Sequence, residues 1–126
     1  MRRVVAAGGL DLCCLVVFVL IGRANHDDSG GLGGFLTTFW PFLVGLALGW
    51  GVTRAWREPF GVLPVGVGIW VTTVVAGMVL RALSGQGTAV AFVVVATLFT
   101  GATLVGWRAV ARVTVLRRRE GHQVQN

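Results

Sequence analysis

Arg23, His26, Asp27 and Asp28 crowd four ionisable side chains into six positions of the stretch IGRANHDDSGGLGG at residues 21–34. Histidine titrates near neutral pH, so an imidazole beside two carboxylates is the one place in the chain with general acid–base potential. The neighbouring arginine could hold an anion. Asp11, Arg81 and Arg108 are the other charges of interest, because each is set in otherwise apolar sequence. No serine stands in a nucleophile-elbow context, and the glycines match no phosphate-binding spacing. With neither a nucleophile nor a cofactor motif, an enzyme is the least favoured class.

These charges must be carried by very oily elements. The chain has 126 residues, of which 55% are hydrophobic and 13% charged, with a mean hydropathy of +0.78. Soluble domains carry about 25% charged residues, and a soluble fold of this length could not hide so much apolar surface. Four apolar runs stand out, at about 4–21, 35–53, 61–82 and 88–107. Each is close to the roughly 20 residues a helix needs to cross about 30 Å of hydrocarbon. Valine-rich stretches such as VVVAT at 93–97 would suggest strands in water. In lipid a lone segment must satisfy its own backbone hydrogen bonds, so helix prevails. The expected fold is all-α: an integral membrane bundle of four transmembrane helices as one domain over 1–112, with a basic tail over 113–126. The first run also admits a rival reading as a cleaved signal peptide. Arg2 and Arg3 form a positive start, Leu12–Ile21 an apolar core, and Gly22-Arg23-Ala24 a weak cleavage site.

Arginine sets the expected orientation, because the chain has no lysine. Arg2 and Arg3 precede the first span, Arg54 and Arg57 separate the second from the third, and Arg108, Arg112, Arg117, Arg118 and Arg119 follow the fourth. Only Arg23 and Arg81 fall on the opposite side. The positive-inside rule then places the chain in the plasma membrane with both termini cytoplasmic, and the bias argues against a dual-topology dimer. It also accounts for the pI near 11.6 without a nucleic-acid partner, since no basic face interleaved with aromatics is present. The RRRE tail is expected to touch anionic headgroups. Under this topology His26 and His122 lie in different compartments with no further ligands beside them, so no metal site is expected.

Three features then share the outer stratum. Residues 23–28 mark the end of the first span, with SGGLGG expected to be a flexible turn back into the second. Arg81 ends the third span, although external loops tend to lack arginine. In TTFWPF, Pro41 lies inside the second span and cannot donate to the Thr37 carbonyl, which is left as a free acceptor. Arg23, His26, Asp27, Thr37, Thr38, Pro41 and Arg81 could therefore line a mouth for a small anionic or polar ligand. The competing reading is a brace, in which Arg81 pairs with Asp27 or Asp28 and pins the loop.

Asp11 lies roughly 10 Å into the membrane by helix rise, where a carboxylate is costly and is usually a site or an ion-pair partner. Arg108, at the inner end of the fourth span, is its expected cation, and Trp107 or a threonine is an alternative donor. Proton or cation coupling at Asp11 is the functional alternative to structural pairing. In that single position the chain is similar to the small multidrug exporters, whose antiparallel assembly the arginine bias opposes.

Small residues at four-residue spacing let helices approach closely in lipid. Gly45 with Gly49, Gly68 with Thr72 and Ala76, and Ala102 with Gly106 are such sets, more than one bundle needs, so a homodimer or larger membrane complex is an expected partner alongside the bilayer. Trp40 is expected in the outer interfacial belt, Trp50, Trp56 and Trp107 in the inner one, and Trp70 in packing. Adjacent Cys13 and Cys14 are poorly placed for a mutual disulfide.

Five pieces, GRANH at 22–26, PFLVG at 41–45, GMVLR at 77–81, FVVVATLF at 92–99 and GWR at 106–108, resemble the pattern of a family of small four-helix membrane proteins from actinobacteria and haloarchaea, known only as a domain of unknown function. The resemblance runs from Asp11 to Arg108. It implies the four-span fold, carries no activity, and retains the positions of Arg23, His26, Pro41 and Arg81. Two function classes follow: binding or permeation of a small polar or anionic solute or ion through an externally facing pocket, and a non-catalytic accessory or assembly subunit of a larger complex.

Overall fold

The computed structural model describes residues 2–25 and 31–125, with side chains described for 2–22 and 31–118. It is all-helical, in the order α1 (Arg2–Asn25), α2 (Gly31–Thr53), α3 (Val67–Leu83), α4 (Val90–Thr100) and α5 (Gly106–Gln125). A turn over Val62–Gly66 leads into α3, and a widened π-type turn over Gly101–Val105 joins α4 to α5 in one rod. Four helical stretches, Arg2–Gly22, Gly31–Thr53, Val62–Leu83 and Val90–Arg118, are long and apolar enough to cross a membrane. Their lipid-facing surface is apolar, as a bilayer requires: Leu20, Leu48, Val75, Val79 and Leu98 are all exposed.

Helices α2 and α3 pack backbone to backbone. A Cβ added at Gly45 would lie 2.8 Å from the Thr73 carbonyl oxygen, and one at Gly49 would lie 3.0 Å from Ile69 Cα. Only glycine admits that approach, which gains dispersion contacts where no hydrophobic effect drives helices together. Helix α1 closes the bundle through aromatics: Phe18 meets Phe42 edge-on with centroids 5.3 Å apart and also touches Phe92 and Phe99. Edge contacts of this kind contribute about 0.5–1.5 kcal/mol beyond burial.

Several boundaries differ from expectation. The segment Gly31–Gly34 is the first turn of α2 and not a loop. Thr37 Oγ1 donates to the Gly33 carbonyl and Thr38 Oγ1 to that of Gly34, at 2.9 and 3.2 Å, so threonine back-bonding adds local ties to a glycine-rich turn that propensity alone disfavours. The fourth helical stretch does not end near residue 107. Helix continues to Gln125 and makes a rod of roughly 50 Å. Leu63 is extended, with φ −131° and ψ 126°, as a residue before proline favours, and this starts α3 several residues later than the apolar run. Of the small residues on the fourth helical stretch, Ala102 is exposed and a Cβ added at Gly106 would meet nothing within 4 Å. Gly101 makes the contact instead, against the Trp70 indole.

Candidate functional site

Asp11 and Arg108 are both fully buried, and they form the one ion pair among the described residues. Arg108 reaches Asp11 in a two-pronged contact, Nη1 to Oδ1 and Nη2 to Oδ2, each at 2.7 Å. Each carboxylate oxygen also accepts an indole N–H at 2.8 Å: Trp107 Nε1 on Oδ1 and Trp50 Nε1 on Oδ2. The arginine is satisfied in turn. Its Nε donates to the Pro59 carbonyl and Nη1 also to that of Leu104, while its guanidinium carbon lies 4.4 Å from the Trp107 ring centroid.

Local sequence explains why these groups can meet. The widened turn at Gly101–Val105 directly precedes Trp107 and Arg108 and sets the phase of α5, as such bulges do at special positions in helices. Gly66 makes room for the arginine stem, since a Cβ there would stand 2.9 Å from Arg108 Cδ. Gly8, near Asp11 on α1, lies against the Trp50 ring. Two charges in a low-dielectric interior are tolerated only when mutual attraction and full hydrogen bonding offset desolvation. That condition is met here, since the Asp11 carboxylate accepts four hydrogen bonds. The cluster ties α1, α2, α5 and the α2–α3 connection together near one end of the bundle.

Trp50 and Trp107, expected in the inner belt, thus spend their indole N–H groups on Asp11. A buried carboxylate is a stronger claimant for an indole N–H than a headgroup. Trp56 and Trp40 are exposed and remain available to the interface. Trp70 packs as expected and donates to the Thr97 carbonyl at 2.8 Å.

At the opposite end Arg81, only 9% exposed, spends its three nitrogens on its own loop. Nε and Nη2 donate to the Gly87 carbonyl at 3.0 and 2.8 Å, and Nη1 to Gln86 Oε1 at 2.9 Å. The guanidinium also stacks over Phe92, 4.2 Å from its centroid. Gln86 Nε2 in turn donates to the Thr37 carbonyl at 2.9 Å. The acceptor that Pro41 deprives of its helix partner is thus not free. Gln86, which sequence reasoning missed, fills it; the signal was an amide between two glycines, in SGQG at 84–87, a few residues after Arg81. The structure joins Arg81 through Gln86 to the Thr37 carbonyl that Pro41 cannot serve. The side chain of Arg23, and His26, Asp27 and Asp28 entirely, lie outside the described residues.

A third polar feature lies at the end of the bundle where α1 begins. A half-open cavity of about 190 Å³ is lined by Arg3, Arg57, Glu58, Phe60, Arg112 and Val115, among others. Pro59, whose carbonyl Arg108 holds, also lines it. Arg3 lies over the Phe60 ring at 4.9 Å, and Phe60 meets Trp107 edge-on at 5.3 Å, so the cavity wall continues into the buried pair. Among the described residues no group of three or more metal-ligating side chains occurs, and one buried polar side-chain atom, Thr73 Oγ1, lacks a hydrogen-bond partner.

Four apolar helices enclosing a dehydrated aspartate–arginine pair define a small helical protein of the membrane-spanning class. The chain belongs to the DUF3054 family, proteins of unknown function, whose model matches residues 9–111 and so includes both Asp11 and Arg108. A search of the curated proteins gives no match, and neither does a search of the solved structures.

Proposed function

We propose that the protein is a non-catalytic membrane-embedded binding protein for a small anionic or polar solute or ion, which it meets on the face carrying its termini. The arginine distribution supports a plasma-membrane orientation with that face cytoplasmic. One observation carries the reading: among the described residues, two kinds of arginine stand apart. Arg81 and Arg108 are buried and spent on the protein's own acceptors. Arg57 and Arg112 are exposed and line a cavity, and among the described residues neither is ion-paired. Buried charge holds the bundle, and exposed charge is left for recognition. At the other end Arg81 and the Thr37 carbonyl already have partners, whereas the side chains of Arg57 and Arg112 have none among the described residues.

The test is binding by the purified chain in nanodiscs to a panel of halides, oxyanions and short carboxylates, read by calorimetry, with the Arg57→Ala/Arg112→Ala double variant as reference. A saturable anion signal lost in the variant supports the reading; no signal with any anion sinks it. Flux assays in liposomes then separate binding from permeation. A second reading, an accessory subunit of a larger complex, is favoured by exposed Val110, Val113 and Leu116 on one side of α5. A stoichiometric partner retained in mild detergent would establish it.

A further inference from the structure

We infer that the Arg3/Arg57/Arg112 cavity is a phosphate site, occupied by the headgroup phosphate of an anionic glycerophospholipid. The inference rests on the reading that this face recognises anions, and it names which one. Three arginines and one acidic residue, Glu58, line the cavity, so it carries an excess of positive charge. Among the described residues Glu58 pairs with none of the three. Guanidinium forks match the oxygens of phosphate in paired hydrogen bonds, and this chain uses arginine alone for its cations.

The walls decide between a soluble ion and a lipid. Phe60 and Val115, with Pro59 and Ala111, give the cavity an apolar side beside its charged one. A hydrated dianion gains nothing from that side. A phospholipid does, because its phosphate is joined to glycerol and acyl chains that need apolar contact. The position agrees: Arg3 lies in the first turn of α1, Arg57 in the connection between the second and third spans, and Arg112 one turn beyond Arg108. These are the levels at which a helix leaves hydrocarbon for headgroups, where basic pockets between helices take anionic lipid. About 190 Å³ is below the roughly 300 Å³ at which drug-sized ligand pockets begin, which suits one headgroup phosphate with its chains lying outside along the helices.

The experiment is native mass spectrometry of the full chain released from nanodiscs of phosphatidylglycerol or phosphatidylcholine, with parallel calorimetry against inorganic phosphate and acetate. Phosphatidylglycerol should be retained over phosphatidylcholine. Retention should fall about fivefold in Arg57→Gln and again in Arg112→Gln, and stay unchanged in Arg117→Gln, which lies outside the cavity. Arg57 and Arg112 are exposed, so the variants keep their core, and circular dichroism checks this. Equal loss in Arg117→Gln would mean diffuse surface attraction and overturns the site. Binding of inorganic phosphate at the arginines without lipid retention overturns the lipid as occupant. Binding of acetate alone overturns the phosphate assignment and leaves the broader anion reading standing. No binding of any anion or lipid removes both.

Discussion

Trp50 and Trp107 donate their indole N–H groups to opposite oxygens of one carboxylate, that of Asp11, each at 2.8 Å. They approach from α2 and α5 while Arg108 spans both oxygens, so the carboxylate is a junction for three helices. Its surroundings supply a donor for each direction in which water would otherwise be needed. This is why a charge pair can persist where Asp11 and Arg108 are both fully buried.

Breaking the pair on one side should cost far more than removing it. Asp11→Leu leaves Arg108 buried and unpaired, and Arg108→Met does the same to Asp11, for an expected loss of about 3–5 kcal/mol each. The double variant should lose much less than the two singles together. Reversible unfolding in mixed micelles, treated as a double-mutant cycle, measures the coupling. Strictly additive losses would show that the two groups do not hold one another.

The two indoles should be separable from ordinary tryptophan packing. Trp50→Phe and Trp107→Phe each remove one hydrogen bond to a charged group, worth about 1.5–3 kcal/mol. Trp56 is exposed, and Trp56→Phe should change stability by less than about 0.5 kcal/mol. The same unfolding assay ranks the three, and equal effects would place Trp50 and Trp107 in the belt after all.

Gln86 and Pro41 should be coupled through the carbonyl of Thr37. Gln86→Ala removes the side-chain donor to the Thr37 carbonyl, at a cost of about 0.5–1.5 kcal/mol. In a Pro41→Ala background the restored backbone N–H can serve the same carbonyl. The penalty of Gln86→Ala should then shrink, and an undiminished penalty would show that Gln86 acts through Arg81 alone.

Glycine positions should split by what faces them. Gly45→Ala drives a methyl to within 2.8 Å of backbone on α3 and should cost about 1–3 kcal/mol by overpacking. Gly51 has nothing within 4 Å, and Gly51→Ala should be neutral or mildly stabilising through helix propensity. Thermal unfolding of the two variants side by side gives the comparison.

Orientation has its own check. In a background with Cys13→Ala and Cys14→Ala, an introduced thiol from Ser84→Cys should react with an impermeant maleimide on intact cells. One from Arg118→Cys should react only after permeabilisation. The reverse pattern would place the termini outside and invert the proposed access side of the arginine cavity.

Sequence alone determined the number of spans, their helical state and the asymmetry of arginine along the chain. These depend on local quantities: twenty or so apolar residues per crossing, a backbone that must satisfy itself in lipid, and charge counted loop by loop. Asp11 and Arg108 were legible as partners for a related reason, since a carboxylate inside an apolar run demands a cation at similar depth. What the sequence could not supply is which donors complete that cluster. Trp50 reads as a belt residue until the packing of α2 on α1 turns it toward Asp11, and Gln86 reads as loop until α3 brings it over the carbonyl that Pro41 exposes. The cavity of Arg3, Arg57 and Arg112 is likewise assembled from α1, a connection and α5. Periodicity describes one helix at a time, whereas hydrogen-bond direction and shared cavities depend on the rotation of each helix about its own axis against its neighbours, and only tertiary packing fixes that angle.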